Sequence, residues 1–211
     1  MYKNYKEMQC LICNKVIEET FFNLLSKNKC LCFECENQFK IRNERFFIEG
    51  IECFILYYYD SFFRELLYKY KGCYDYVLKD CFLLYNASYI KKKYKGYSIL
   101  LAPSSAISEK ERGFNHLEEI FKSLEMPIIK CFKKSCEWKQ SEKKLLQRAN
   151  IQKVIKIDKS MLKGVKKVLI VDDVLTSGST IRTMIKQIPT NIDKKALVLS
   201  SNCRVLANEN I

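Results

Sequence analysis

The sequence predicts an α/β protein, an open and mainly parallel sheet with a small cysteine-rich appendage at its N-terminus. Three observations carry this. Strand-like and helix-period segments alternate from about residue 51 onward, the pattern of an open α/β sheet. Val168-Leu-Ile-Val171 is apolar with no polar alternation, as suits a central parallel strand covered on both faces. Ahead of all this, Cys10-x2-Cys13 and Cys32-x2-Cys35 form two knuckles separated by 18 residues. With 211 residues and 48% hydrophobic content, the chain can bury one ordinary domain plus the appendage. The expected division is 1–45 for the appendage and 46–211 for the main domain.

The elements follow in order. Residues 51–59 are aromatic and β-branched, which favours a strand. Asp60 can cap a helix through Phe62, Phe63, Leu66, Leu67 and Tyr70, a 3.6-residue stripe that stops at Gly72. A second helix is expected over 74–93. Residues 97–102 read as a strand, 115–124 as a helix, 127–132 as a strand, 166–171 as the central strand, 181–188 as a helix and 195–200 as a late strand. No internal repeat or low-complexity tract competes with that order.

The first residues, Met1-Tyr-Lys-Asn-Tyr-Lys-Glu, are polar, and the longest apolar runs fall far short of the ~18 residues of a membrane span. A cytoplasmic location is therefore expected, and the eleven cysteines would be reduced. Their spacing then bears on metal. The interval between the two knuckles suits a four-thiolate zinc ribbon, with Cys10, Cys13, Cys32 and Cys35 as ligands. The ion would replace the core that about 40 residues cannot build. Cys30 could stand in for Cys32, and unrelated buried thiols are the alternative. A catalytic zinc is disfavoured, because four thiolates leave no open position. Cys53, Cys73, Cys81, Cys131, Cys136 and Cys203 lack paired spacing and read as filler.

The central strand runs directly into Asp172-Asp173 and then Thr176-Ser177-Gly178-Ser179-Thr180. Ligands of parallel sheets bind beyond the carboxyl ends of the strands. There the hydroxyls, a glycine free to take positive φ and the amides of a helix start can hold a phosphate. The acids are left to grip hydroxyls. A Walker B strand would also end in Asp-Asp, but it requires a Gly-Lys phosphate loop, and none of the six glycines precedes lysine. An Asp-x-Asp phosphatase needs acids two apart, whereas position 174 is Val. A buried strand with a capped helix is the remaining alternative, although capping asks for one hydroxyl and not four. A second loop leaves the 97–102 strand, carries Ser104 and Ser105, and reaches Arg112-Gly113 before the next helix. Arg112 there reads equally as an anion contact or as a solvated loop residue.

The Asp-Asp loop resembles the signature of type I phosphoribosyltransferases, which bind 5-phosphoribosyl-1-pyrophosphate (PRPP). The resemblance implies that Asp172 and Asp173 hold the ribose hydroxyls, that Thr176 through Thr180 wrap the 5′-phosphate, and that Ser104, Ser105 and Arg112 face pyrophosphate. Mg²⁺ would accompany PRPP. A closer resemblance covers nearly the whole chain. The double knuckle, the Tyr-Lys-Tyr-Lys-Gly run at 68–72, Arg112-Gly113-Phe114-Asn115, Gln140 with Arg148-Ala149-Asn150, and the Asp-Asp loop occur in the order seen in the ComF family. That family pairs a zinc ribbon with a phosphoribosyltransferase-like domain. The resemblance implies PRPP binding, DNA uptake in natural transformation, single-stranded DNA binding, and other DNA-uptake proteins as partners. Two departures stand out: His116 replaces the family's Gln, and the spacing from Gln140 to Asn150 is one residue short. A phosphoribosyltransferase of nucleotide salvage or synthesis is the alternative, with the acceptor unspecified in either case.

His116 is the only histidine and is expected to be exposed or capping at the start of its helix, with a catalytic role as the alternative. Trp138 lies in a charged stretch with Lys143, Lys144 and Arg148, so base stacking and a half-buried structural role both suit it. The net charge of +13 favours nucleic acid through counterion release. Lys91-Lys92-Lys93-Lys95, 133–144 and 163–167 are the candidate tracks. The same richness in Lys, Ile, Asn, Tyr and Phe would also follow from an A+T-rich genome.

Overall fold

The computed structural model describes residues 8–17, 30–84, 86–134 and 155–202. Six strands form one sheet: β1 (Ile41–Ile48), β2 (Ile51–Tyr58), β3 (Ser98–Leu101), β4 (Ile128–Ile129), β7 (Lys167–Leu175) and β8 (Asp193–Ser201). Between them in sequence, β5 (Phe132–Lys134) and β6 (Ile155–Ile157) make a separate antiparallel pair. The order across the large sheet is β1-β2-β8-β7-β3-β4; β1 is antiparallel to β2, and all other neighbours are parallel. The open, mainly parallel α/β sheet predicted from the sequence is what forms. Its centre is where the apolar runs pointed, because Val168–Val171 and Ala196–Leu199 have no exposure at all.

β1, like the short β6, is a strand that sequence patterning does not reveal. Its exposed positions carry Asn43, Glu44 and Arg45, and its pairing with β2 slips between Ile41 and Glu44, so it never reads as a clean alternation. It joins β2 through Glu49-Gly50, both at positive φ (49° and 75°), the backbone of a two-residue hairpin turn that follows strand twist. β1 also runs through positions 45 and 46, where the sequence reading divides the appendage from the main domain.

The helices are α1 (Phe33–Glu36), α2 (Ser61–Lys71), α3 (Asn86–Lys93), α4 (Ala106–Arg112), α5 (His116–Phe121) and α6 (Ser179–Gln187). α2 behaves as its sequence dictates. Asp60 Oδ1 accepts the Phe63 amide at 3.0 Å, and Phe63, Leu66, Leu67 and Tyr70 are buried. It stops at Gly72, whose amide donates to the Tyr68 carbonyl at 2.7 Å and where a Cβ would meet the Tyr68 ring at 2.8 Å.

Two expected elements are corrected. The helix expected over 74–93 is a 3₁₀ turn at Tyr76–Cys81 followed by the shorter α3. Leu84 has φ of 34°, and Leu78, Cys81, Phe82 and Leu83 are all buried, a wider arc than one helix stripe would cover. The strand expected over 127–132 splits into β4 on the large sheet and β5 on the small one. Cys131 breaks from the sheet edge, and its carbonyl accepts the Asp158 amide at 2.8 Å.

The core is continuous with the appendage. Phe39 is buried, with its ring 5.3 Å from Tyr57 and 5.1 Å from Phe62. A further run of rings, Tyr57, Phe63, Phe82, Tyr70 and Phe114, leads from β2 to the loop before α5 with centroid separations of 5.3–5.8 Å. Among the described residues, no helix is long and apolar enough to cross a membrane.

Candidate active site and metal centre

β7 outruns its neighbour. Its pairing with β3 stops at Leu101–Val171, while pairing with β8 continues to Leu175–Ser201. Asp172 and Asp173 therefore stand where one side of β7 is uncovered. Here β3 leads towards β4 and β7 leads the opposite way to β8, a topological switch point of the kind where open α/β sheets bind ligands. Because successive strand residues face opposite sides, the two acids have different surroundings.

Asp173 is the committed acid. It is 7% exposed, its Oδ1 accepts the Val174 amide at 2.7 Å, and its Oδ2 faces His116 Nε2 at 3.0 Å and pairs with the Lys71 ammonium. Burial opposes its ionisation, yet the His116 hydrogen bond and the Lys71 charge outweigh it and hold the carboxyl well below the usual carboxylate range. Asp172 is half-buried, and Oδ1 accepts the Asp173 amide at 2.9 Å. Burial, reinforced by the Asp173 charge, pushes the Asp172 carboxyl up to about 8. One acid is ionised and its neighbour holds a proton near neutrality.

The position of His116 corrects the sequence reading. It is 4% exposed rather than on the surface, and its acid partner lies 57 residues away, where no local inspection would find it. Burial lowers its pKa more than Asp173 raises it, so the imidazole is neutral at pH 7. With Asp173 ionised, Nε2–H is the donor to Oδ2, leaving Nδ1 to accept from Arg112 Nη2 at 3.4 Å. Asn115, not His116, caps this helix, its Oδ1 accepting the Glu118 amide at 3.0 Å.

Arg112 thus joins the same group as the acids, and its Nε is buried without a hydrogen-bond partner among the described residues. Ser104 donates to Glu109, which also accepts from Asn115 Nδ2 at 2.6 Å. Ser105 starts α4 without a side-chain capping bond. On the other side of the site, Gly178 takes φ of 70° immediately before α6, which only glycine adopts freely. Ser177 and Ser179 hydroxyls lie 2.9 Å apart; Thr176 and Ser177 are exposed, and Ser179 and Thr180 half-buried. Lys71 and Tyr70 belong to the same cluster and were not assigned to it from the sequence. The Tyr-Lys-Tyr-Lys-Gly run was the available signal, but its partners lie 102 and 46 residues away.

At the N-terminus, the sulfur atoms of Cys10, Cys13, Cys32 and Cys35 all lie within 4.8 Å of one another. Cys13 and Cys32 sulfurs are 3.7 Å apart, against about 3.8 Å expected across a tetrahedral zinc with Zn–S near 2.3 Å. The cluster contains Cys32 and not Cys30. Leu11 donates its amide to the Cys30 carbonyl at 2.9 Å, and Lys15 pairs with Glu34 at 3.1 Å, so backbone and side chains clamp the knuckles together. Burial opposes the Cys10 thiolate, but backbone hydrogen bonds at Cys32, Cys13 and Ile12 bring its thiol down to about 7. The donor set fits a structural zinc ion. Cys53, Cys81 and Cys131 are buried and Cys73 is exposed, and none of them belongs to this cluster.

The basic tracks are less open than their spacing suggests. Lys91 pairs with Glu125; Lys93 lies 3.1 Å from Glu52 and 3.9 Å from the Phe54 ring centroid, a structural cation–π contact. Residues 163–167 lie at the opposite end of β7 from the acids. Trp138, Gln140, Lys143, Lys144, Arg148, Ala149, Asn150, Cys136 and Cys203 lie outside the described residues.

A mainly parallel α/β sheet with an acid pair at its switch point, preceded by a four-cysteine cluster, matches the fold class expected from the sequence. The chain is 25% identical over 205 residues to competence protein ComFC of Streptococcus pneumoniae, covering 85% of this chain and 92% of that protein. No family profile matches. The relationship to ComFC, together with the cysteine cluster, bears out the resemblance to the ComF family drawn from the ordered sequence blocks.

Proposed function

We propose that the chain is a competence protein whose main domain binds PRPP and whose role is the handling of incoming single-stranded DNA in the cytoplasm. The observation that carries the PRPP reading is Asp172-Asp173 on the uncovered stretch of β7, followed directly by the left-handed Gly178 turn into α6. The name of the pneumococcal relative supports the competence role. In this reading Asp172 and Asp173 serve the ribose end, Thr176 through Thr180 the 5′-phosphate, and Ser104, Ser105 and Arg112 the pyrophosphate. Mg²⁺ would ride largely on PRPP oxygens, as this ion keeps substrate phosphates and few carboxylates in its shell. Asp172 is the acid with coordination capacity to spare. The reaction these groups suit is displacement of pyrophosphate from the anomeric carbon, with donors waiting at the departing anion. The zinc ribbon over 1–45 is structural and offers a surface for other DNA-uptake proteins.

The protonation of Asp172 gives the PRPP reading a pH signature. A carboxylate accepts hydroxyl protons and a carboxylic acid competes for them, so binding at pH 7 must expel a proton from a group titrating at about 8. Affinity should therefore rise with pH by up to about tenfold per unit and level off above about pH 8. Calorimetry in buffers of different ionisation enthalpy measures both the affinity and the released proton. A flat profile with no proton release contradicts the assignment of Asp172.

The DNA arm is tested on the same preparation with single-stranded oligonucleotides across a salt series. The expected result is a linear fall of log K with log salt, with a slope of about −0.7 for each phosphate neutralised. Rapid pyrophosphate release with a simple base, and no DNA binding at low salt, would overturn it in favour of a salvage enzyme.

A further inference from the structure

We propose that His116 and Lys71 are positioning residues that divide the labour of the acid pair: they fix Asp173 as a committed carboxylate and leave Asp172 to meet ligand hydroxyls. This rests on the reading of β7 as a PRPP site.

An ionised carboxylate offers about four acceptor positions. At Asp173 the protein fills three of them, through Val174 N, His116 Nε2 and Lys71 Nζ. At Asp172 the hydrogen bond from Asp173 N takes one. Two adjacent acids of equal sequence standing are thus unequal in the fold. One is a fixed negative charge and the other an acceptor with room for a ligand.

The placement of His116 and Lys71 is built rather than incidental. Tyr70 Oη donates to the His116 carbonyl at 2.9 Å, and the Tyr70 ring lies 5.4 Å from that of Phe114. The last turn of α2 therefore sets the first residue of α5 through Tyr70, and the next residue, Lys71, reaches the same acid that His116 touches. Neutral imidazole is the group that can do both jobs at this point, donating to Asp173 from one nitrogen and accepting from Arg112 at the other. The charged groups facing it are Arg112 from α4, Lys71 from α2 and Asp173 from β7. His116 in this way ties the pyrophosphate side of the site to the ribose side.

Isosteric replacements separate these jobs. His116→Gln keeps an amide nitrogen at the place of Nε2, whereas His116→Asn keeps an acceptor near Nδ1 and loses the donor to Asp173. Full-length protein is titrated calorimetrically with PRPP and Mg²⁺ at about pH 8, with thermal melts alongside. His116→Asn should weaken binding at least about tenfold, as expected for loss of a hydrogen bond to a charged group, while His116→Gln should stay within about threefold of the native chain. Lys71→Met should weaken binding similarly and Lys71→Arg should recover most of it, a pair that carries the test if His116→Asn does not fold. Native protein that binds PRPP with every variant unchanged overturns the positioning role. Equal weakening by the conservative and disruptive members of each pair also overturns it, because that marks a merely structural role. Native protein that fails to bind PRPP at all sinks the underlying site reading instead.

Discussion

Asp172→Asn should lower affinity for PRPP with Mg²⁺ by about 10- to 100-fold at pH values above about 8, the loss expected when a charged acceptor of hydrogen bonds becomes neutral. The gap between native and variant should narrow as pH falls, because native Asp172 then carries a proton and resembles the amide. The fold should not suffer. Between the unperturbed value of 3.8 and about 8, folded Asp172 holds a proton that the unfolded chain has released, so at neutral pH this group costs stability. Replacing it by Asn removes that cost, and the thermal midpoint should equal or exceed that of the native protein. Asp173→Asn should behave in the opposite way. Its folded pKa is depressed, so it contributes stability above the unfolded value that is lost only as pH falls through the folded one. Removing the charge takes the carboxylate partner from both the Lys71 ammonium and the buried imidazole and should cost about 1.5–3 kcal/mol at neutral pH, read by chemical denaturation. Equal stability losses for the two variants would contradict the unequal acids.

Replacing Cys10 and Cys13 by Ser should take bound zinc from about one ion per chain to none, since two thiolates cannot close the tetrahedron. The effect on structure should be confined at first to the appendage. Its own core is small, with Cys10, Ile17, Leu31, Cys35 and Phe39 the buried apolar groups among its described residues. Amide exchange protection should therefore vanish over 8–17 and 30–39 while β7 and β8 keep theirs. Phe39 carries the second-order effect, since its ring packs on Tyr57 and Phe62 and its loss would loosen the β2 side of the sheet. Zinc content of zero in the native chain by elemental analysis would dispose of this centre.

What the sequence reveals here depends on range. α2 was legible because cap, stripe and stop are all local: Asp60, the Phe63–Tyr70 face and Gly72. The core of β7 and β8 was legible because burial on both faces leaves no polar alternation to misread. β1 was not, because an edge strand with a bulge and charged exposed positions has no period to detect. The break between 74 and 93 carries no local signal, because the residue at positive φ is Leu84 and not a glycine. In the site, Asp172, Asp173, Arg112 and the four clustered cysteines were marked by their motifs. The partners that tune them, Lys71 and His116, were hidden by separations of 102 and 57 residues. His116 in particular reads from its sequence as exposed or capping, whereas the fold buries it against Asp173 of β7.

The central claim is that the uncovered end of β7 is a PRPP site in which Asp172 is the ligand-binding acid. Isothermal titration of the full chain with PRPP and Mg²⁺, run at several pH values on native protein and on Asp172→Asn, tests it most directly. The account predicts one site per chain, with native affinity climbing to a plateau above about pH 8 and a weak, pH-independent response from the variant. No binding to the native chain, or binding to Asp172→Asn that matches it across the pH range, would contradict the account.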